Sequence, residues 1–265
     1  MPAHFGNLST FLVEPSSAQA RAILDELKSV GLDLVRVFAD GHSALAAMRE
    51  ARPELVLSAY YLPDMTGAEL VARMRKEPEL ADIAFILISS ETRPQALEPI
   101  RQQGACGILP KPFSRAQLLT ALETTLEFLR RDEELAGDAE LEELTVLIVD
   151  DSASARRFIH RVLENLGIRK ILEAVDGRAA AAILAETMVD LVITDYNMPE
   201  MDGKALIEHI RTQSWQSSVP ILMVTSESDS GRLAAIEKAG VSGICDKPFE
   251  PGVVKALLRG ILANR

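Results

Sequence analysis

Five residues of this chain could form a site for phosphate chemistry: Asp150, Asp151, Asp195, Thr225 and Lys247. Each follows a short apolar run. Asp195 stands 45 residues after Asp150, Thr225 follows 30 residues later, and Lys247 comes 22 beyond that, just before Pro248. Three carboxylates gathered at one rim repel one another and raise each other's pKa values. A hard divalent cation relieves that repulsion, and carboxylate plus carbonyl oxygen suits Mg²⁺. A phosphoryl group attacked by Asp195 would meet the cation on one side and the Lys247 ammonium on the other. The Thr225 hydroxyl would serve as a short donor to a phosphoryl oxygen. This is the electrostatic clamp that phosphoryl transfer requires. Taken singly, an Asp after a strand is usually a turn or cap residue, and a Lys before Pro a solvated loop residue. The reading rests on all five occurring together and in order.

The elements that would position them are written twice. Leu55-Val-Leu-Ser-Ala-Tyr-Tyr-Leu-Pro-Asp-Met-Thr-Gly67 matches Leu191-Val-Ile-Thr-Asp-Tyr-Asn-Met-Pro-Glu-Met-Asp-Gly203 at an offset of 136 residues. The same offset relates Val13-Glu-Pro-Ser16 to Val149-Asp-Asp-Ser152, Ser89-Ser-Glu91 to Thr225-Ser-Glu227, and Lys111-Pro-Phe113 to Lys247-Pro-Phe249. A constant offset over a whole domain means duplication. In the second copy, 145–149, 191–194, 221–225 and 243–245 read as buried strands. Ser152 can cap a helix whose apolar stripe is Phe158, Ile159, Val162, Leu163 and Leu166, with Gly167 ending it. The first copy repeats this with Ile23, Leu24, Leu27, Val30 and Gly31.

Alternating buried strands and helices predict an α/β fold. We expect two flavodoxin-like, doubly wound (βα)5 domains, each a five-stranded parallel sheet in the order 2-1-3-4-5 with helices on both faces. The site would lie beyond the carboxyl ends of the strands. The expected domains are 8–130 and 145–265. Between them lies a charged linker, 131–144, read either as a helix running on from the first domain, with a break at Gly137, or as a solvated connector.

Composition narrows the function. A net charge of -11 argues against an extensive nucleic-acid or anionic-membrane surface. The first twelve residues lack a basic segment followed by a long apolar run, and no stretch approaches a membrane span, so a cytoplasmic protein is expected. Cys106 and Cys245 have no metal-ligand spacing and read as separate core residues in a reducing compartment. His4, His42, His160 and His209 fall in no phosphohistidine or metal pattern and read as surface residues. Trp215 is expected near the surface, in the loop before the fourth strand.

Val149-Asp-Asp-Ser, Thr194-Asp-Tyr-Asn-Met-Pro-Glu-Met-Asp-Gly203, Val224-Thr-Ser-Glu and Asp246-Lys-Pro-Phe resemble the receiver domain of two-component response regulators. The second copy is especially similar to the CheY-like kind, including Arg156-Arg157 and Asp202-Gly-Lys204. The resemblance implies that Asp195 accepts a phosphoryl group from a histidine kinase or histidine phosphotransfer protein. It implies one Mg²⁺ in the second domain, bound by Asp151, Asp195 and the main-chain carbonyl of Asn197, with Asp150 acting through a water. Lys247 would pair with the phosphoryl group and Thr225 would swing toward it, while Asn197 and Glu227 would tune the lifetime of the acyl phosphate. It also implies contacts between receivers, within the chain or in a homodimer, through the fourth-helix, fifth-strand, fifth-helix face. Where the family often has an aromatic residue on the fifth strand, this chain has Ile108 and Ile244.

Carried back by the offset, the first copy has Glu14 for Asp150, Pro15 for Asp151, Ala59 for Asp195, Ser89 for Thr225 and Lys111 for Lys247. Ala59 has no nucleophilic atom, Pro15 supplies neither carboxylate nor N–H, and Ser58 faces the other side of its strand. The first domain is therefore read as a pseudoreceiver that takes no phosphoryl group. Lys111 is read as a surface charge, and Tyr60 and Tyr61 as lining the vacated pocket. Two alternatives stand beside the phosphoacceptor reading. One is the input half of a larger regulator of the diguanylate-cyclase type. The other is a Mg²⁺-dependent phosphatase of the haloacid-dehalogenase type, which would need a second acid where Asn197 stands. A scaffold with both domains silent is a further reading, which the intact set in the second copy opposes.

Overall fold

The apolar runs become strands, and the central strands of each sheet are buried along almost all of their length. In the computed structural model, which describes residues 5–91, 93–129, 139–225, 240–247 and 251–263, the chain divides into two units, Met1–Leu129 and Arg130–Arg265. In the first unit β1 (Thr10–Val13), β3 (Leu55–Ser58) and β4 (Ala84–Ser89) are buried at every position, as expected of central parallel strands covered on both faces. With β2 (Val35–Phe38) and β5 (Gly107–Pro110) they form a parallel sheet in the order β2-β1-β3-β4-β5. The connecting helices are α1 (Ser17–Ser29), α2 (Gly41–Glu50), α3 (Gly67–Lys76) and α4 (Pro94–Gln102), and α5 (Arg115–Leu129) closes the unit.

The second unit repeats the topology. Its strands are β6 (Thr145–Val149), β7 (Lys170–Ala174), β8 (Leu191–Asp195), β9 (Ile221–Thr225) and β10 (Gly243–Asp246), all parallel, in the order β7-β6-β8-β9-β10. Helices α7 (Ala153–Asn165), α8 (Gly177–Glu186), α9 (Gly203–Gln213) and α10 (Pro251–Ala263) accompany them. These are the two doubly wound α/β folds that the sequence predicts. The helix expected between β9 and β10, part of the face expected to pair with other receivers, lies outside the described residues, as do Glu227 and linker residues 131–138.

Local chemistry sets the helix ends. Ser16 and Ser152 accept hydrogen bonds from the amides of Gln19 and Ala155, capping α1 and α7. Both helices end on a left-handed glycine, Gly31 at φ 86° and Gly167 at φ 99°. Leu32 and Ile168 then donate back to the Leu27 and Leu163 carbonyls at 3.0 Å each, the double closure of a Schellman turn.

The structure adds two features. First, the described end of the linker is helical, with an exposed acidic face and a buried apolar one. Ala139–Glu143 forms a short helix, α6, and Leu141 and Leu144 are fully buried. Glu143 pairs with Lys170 at 2.6 Å, tying this segment to β7 of the second unit. Second, Arg75, near the end of α3, is buried and donates to the carbonyls of Ala81, Ile83, Gln103 and Gly104 at 2.8–3.2 Å. Arg211 does the same in the second unit, reaching Ser217 and Gly240. Each guanidinium satisfies loop carbonyls that the sheet leaves unpaired.

Candidate functional site

The parallel sheet brings the carboxyl ends of β6, β8, β9 and β10 to one rim, and with them the polar residues. Asp150 follows β6, Asp195 ends β8, Thr225 ends β9, and Lys247 follows β10, its amide donating to the Thr225 carbonyl at 2.9 Å. All four are buried. The Lys247 ammonium lies 3.0 Å from Asp150 Oδ2 and 3.1 Å from Asp195 Oδ2. The other oxygens are held by backbone: Asp150 Oδ1 accepts from the Ser152 amide, and Asp195 Oδ1 from the Tyr196 amide, each at 2.8 Å. Asp151 is exposed and completes a cluster in which Asp150, Asp151 and Asp195 each offer an oxygen within 4.8 Å of the others. Asn197 is exposed on the loop after β8.

The charges do not balance. Three carboxylates face one ammonium, leaving a surplus of two negative charges. Burial, opposed by Lys247 and reinforced by Asp150, pushes Asp195 up to about 6. Burial likewise raises Asp150, with Lys247 pulling the other way. Burial alone would lower Lys247, but Asp150 and Asp195 outweigh it and hold it above its usual value, so it stays cationic. An oxygen-rich cluster with a surplus of two negative charges fits a hard divalent cation.

This surplus predicts a pH dependence. Asp195 is raised in the folded state from 3.8 to about 6, so the folded chain holds that proton more tightly than the unfolded one. Its contribution is present below the unfolded value and is lost as pH rises through that window. Asp150 acts in the same sense, and Lys247 is protonated in both states there. Glu173, held low by His160 and Arg156 against its burial, acts in the opposite sense: its stabilisation is present above its ordinary range and is lost as pH falls below it. With chelator present, the second unit is expected to lose about 2 kcal/mol between pH 4 and 7, and Asp195→Asn should flatten the slope. Calorimetric melts across that range test this, and a wild-type midpoint that does not fall would contradict it.

The first unit places its counterparts at the same rim with a different result. Ala59 follows β3 without a functional group and Pro15 is exposed. Glu14 is buried, and its two oxygens take the Lys111 ammonium at 2.7 Å and the Ser16 amide at 3.0 Å. Lys111 is therefore not the simple surface charge expected. It is partly buried and also reaches Gln19 at 2.6 Å. One acid and one base cancel, leaving no surplus charge at this rim. Among the described residues the three-acid cluster occurs in the second unit alone. Ser58 is buried on the other face and donates to the Ala59 carbonyl at 2.8 Å, as Thr194 does to Asp195 at 2.9 Å.

Tyr61, at the position of Asn197, is 57% exposed rather than folded into the vacated pocket. Its hydroxyl donates to Glu91 at 2.7 Å, and Arg93 pairs with the same carboxylate at 2.6 Å. Those bonds, Arg93's first, hold Glu91 far below the usual carboxylate range. Tyr60 packs against the core. Elsewhere, a groove of about 710 Å³ lined by Met188, Trp215, Pro220 and Leu257 lies near the amino-terminal ends of β8 and β9. It holds no cluster of ionisable groups and lies at the opposite edge of the sheet from the acids.

Fold and site together define a class. Residues 10–123 and 146–259 each match the response regulator receiver domain, and the chain belongs to that family, as a two-component response regulator with two receivers in tandem. The chemotaxis protein CheY homolog of Campylobacter jejuni is 39% identical over 122 residues, 46% of this chain and 94% of that protein. The chemotaxis protein CheY1 of Helicobacter pylori is also 39% identical, over 46% of this chain and 98% of its own length. Among solved structures, the chemotaxis response regulator CheY4 of Vibrio cholerae is 34% identical, over 44% of this chain and 98% of that one, with a TM-score of 0.41. Each of these spans about one unit. No helix among the described residues is long and apolar enough to cross a membrane.

Proposed function

We infer that the second receiver is the phosphoacceptor of this regulator and that the first is a pseudoreceiver. The observation that carries the reading is the Lys247 ammonium, 3.0 and 3.1 Å from Asp150 and Asp195, beside an acidic cluster that Asp151 completes. An Asp195 oxygen attacks the phosphorus of a phosphohistidine on a histidine kinase or phosphotransfer protein. The P–N bond breaks, its electron pair returns to the imidazole, which takes up a proton, and Asp195 becomes an acyl phosphate. The Tyr196 amide orients the carboxylate. Lys247 sits where the phosphoryl oxygens arrive, and Thr225 supplies a hydroxyl donor. Mg²⁺, held by Asp151, Asp195 and the Asn197 carbonyl with Asp150 behind, would screen the charge shared by acceptor and phosphoryl group.

Asn197, and by the family resemblance Glu227, which lies outside the described residues, set how fast water removes the acyl phosphate. The product carries nearly two new negative charges, which bias a two-state element and switch protein contacts. The activity is that of a signalling protein with self-phosphorylation and self-dephosphorylation only. The first receiver contributes contacts and no acceptor.

The test is intact mass measurement after incubation with Mg²⁺ and acetyl phosphate, with beryllofluoride binding followed in parallel. One phosphoryl group per chain is expected. Two would restore the first receiver to activity. None, with no beryllofluoride bound, would sink the phosphoacceptor reading.

A further inference from the structure

The acidic loop after β6 is held by a group that the reaction above does not use. Arg156, on the first turn of α7, turns back so that one terminal nitrogen donates to the main-chain carbonyl of Asp150 at 2.7 Å. Its Nε donates to Glu173 Oε2 on β7 at 3.0 Å, and its side chain is only 14% exposed. The other Glu173 oxygen lies 2.9 Å from His160 Nδ1. Asp150 is thus fixed at its carbonyl by Arg156, at one carboxylate oxygen by the Ser152 amide and at the other by Lys247.

The carbonyl matters because it belongs to the peptide that joins Asp150 to Asp151. Pinning that planar unit fixes the direction in which the chain leaves the strand, and so where the exposed Asp151 carboxylate points. Arg156 alone would set a positive charge beside a site built for a cation. Glu173, kept ionised by its bonds to His160 and Arg156 against partial burial, cancels that charge, so the pair supplies orientation without repulsion. The first receiver is an internal control. At the offset of 136, Ala20, Leu24 and Val37 stand where Arg156, His160 and Glu173 stand. The bracket is absent in the copy that lacks the second acid and the acceptor.

We propose that Arg156, braced by Glu173, is a positioning residue that presents Asp151 and so sets the cation affinity of the second receiver. This rests on the reading of that site as a cation-dependent phosphoacceptor. Supporting groups behind metal ligands commonly contribute 10- to 100-fold in affinity. Removing Arg156 loses that orientation but also removes a positive charge, so the expectation sits at the lower end of that range.

Calorimetric titration of Mg²⁺ into the full chain, as wild type, Arg156→Ala, Arg156→Lys and Glu173→Gln, tests this. Arg156→Ala should raise the Mg²⁺ dissociation constant about tenfold. Arg156→Lys, which can still reach the carbonyl, should recover part of the loss. Glu173→Gln, which keeps an acceptor for Arg156 but unmasks its charge, should weaken binding several-fold and more so at low salt. The slowed phosphorylation of Arg156→Ala by acetyl phosphate should be recovered by raising Mg²⁺, so that the half-saturating concentration moves and the plateau does not. Unchanged affinity in all three variants, with at most a lower melting temperature, would reduce the bracket to an ordinary packing ion pair. Absence of Mg²⁺ binding in the wild type would instead overturn the reading of the site, and this inference with it.

Discussion

Asp195→Asn should leave the full chain unable to take up a phosphoryl group from acetyl phosphate, a loss of more than about 10³-fold, while the protein folds at least as well as before. The first part follows from chemistry. An amide oxygen is no nucleophile at phosphorus, and the other two acids of the cluster, Asp150 and Asp151, stand beyond the neighbouring strand β6, where their proposed role is to hold the cation. The second follows from electrostatics. Asp195 is raised to about 6 because its charge is buried beside another carboxylate, so neutralising it relieves about 2 kcal/mol at neutral pH when no cation is bound. A mutation that abolishes function while raising stability marks a strained site. The converse variant tests the first receiver. Ala59→Asp would restore an acceptor carboxylate at a buried strand end, yet it should remain unphosphorylated. Glu14 is spent on Lys111, and Pro15 offers no second acid. The new charge would enter a rim that is already neutral, and a destabilised first unit is the expected result. Phosphorylation of Ala59→Asp, read by mass and mapped by peptide, would show that one missing carboxylate alone silences this receiver.

The two units and their sheets could be read from the sequence because each central strand is a short apolar run and because each copy corroborates the other. That the acids and Lys247 come together was readable for a related reason. Parallel strands always deliver their carboxyl ends to one rim, so order along the chain predicts proximity in space. What escaped depends on side-chain reach. Lys111 looked like an unpaired charge because its neighbours in sequence hold no acid. Its partner Glu14 lies 97 residues away, the same separation as Asp150 and Lys247. The Tyr61, Glu91 and Arg93 cluster joins residues 30 apart whose types suggest no motif. Arg75 and Arg211 could have been noticed, since the same residue recurs at the offset of 136, but an arginine near a helix end usually reads as solvated. His160 was taken for a surface residue, and nothing in its local pattern reveals Glu173 on the neighbouring strand. Leu141 and Leu144 were hidden by the acids around them.

Gly203→Ala should destabilise the second receiver by about 4 kcal/mol, and Gly67→Ala should destabilise the first by less. Each glycine opens the helix after the third strand of its unit, β3 or β8, where the helix start is pressed against a peptide at that strand's carboxyl end. A methyl group on Gly203 would lie 2.2 Å from the Asp195 carbonyl oxygen and 3.0 Å from the Tyr196 Cα. These are backbone atoms, which cannot swing aside as a side-chain tip can. On Gly67 the corresponding carbonyl, that of Ala59, is 2.7 Å away, an overlap that a smaller shift relieves. The amide of each glycine also donates to a carbonyl just beyond the strand, Gly203 to Tyr196 at 2.9 Å and Gly67 to Tyr60 at 2.7 Å, so α9 cannot retreat without breaking that bond. The chain carries its own reporters for the two units. Cys106 is buried in the first and Cys245 in the second, and thiol labelling along a urea gradient, resolved by peptide, reads the opening of each separately. The Gly203→Ala curve should shift at Cys245 and not at Cys106, with the reverse for Gly67→Ala. The surviving folded fraction of Gly203→Ala should also phosphorylate slowly, because the displaced carbonyl belongs to Asp195, the proposed acceptor. A shift at Cys245 below about 1 kcal/mol would mean that α9 moves off the strand freely, and the close approach would then play no part in holding Asp195.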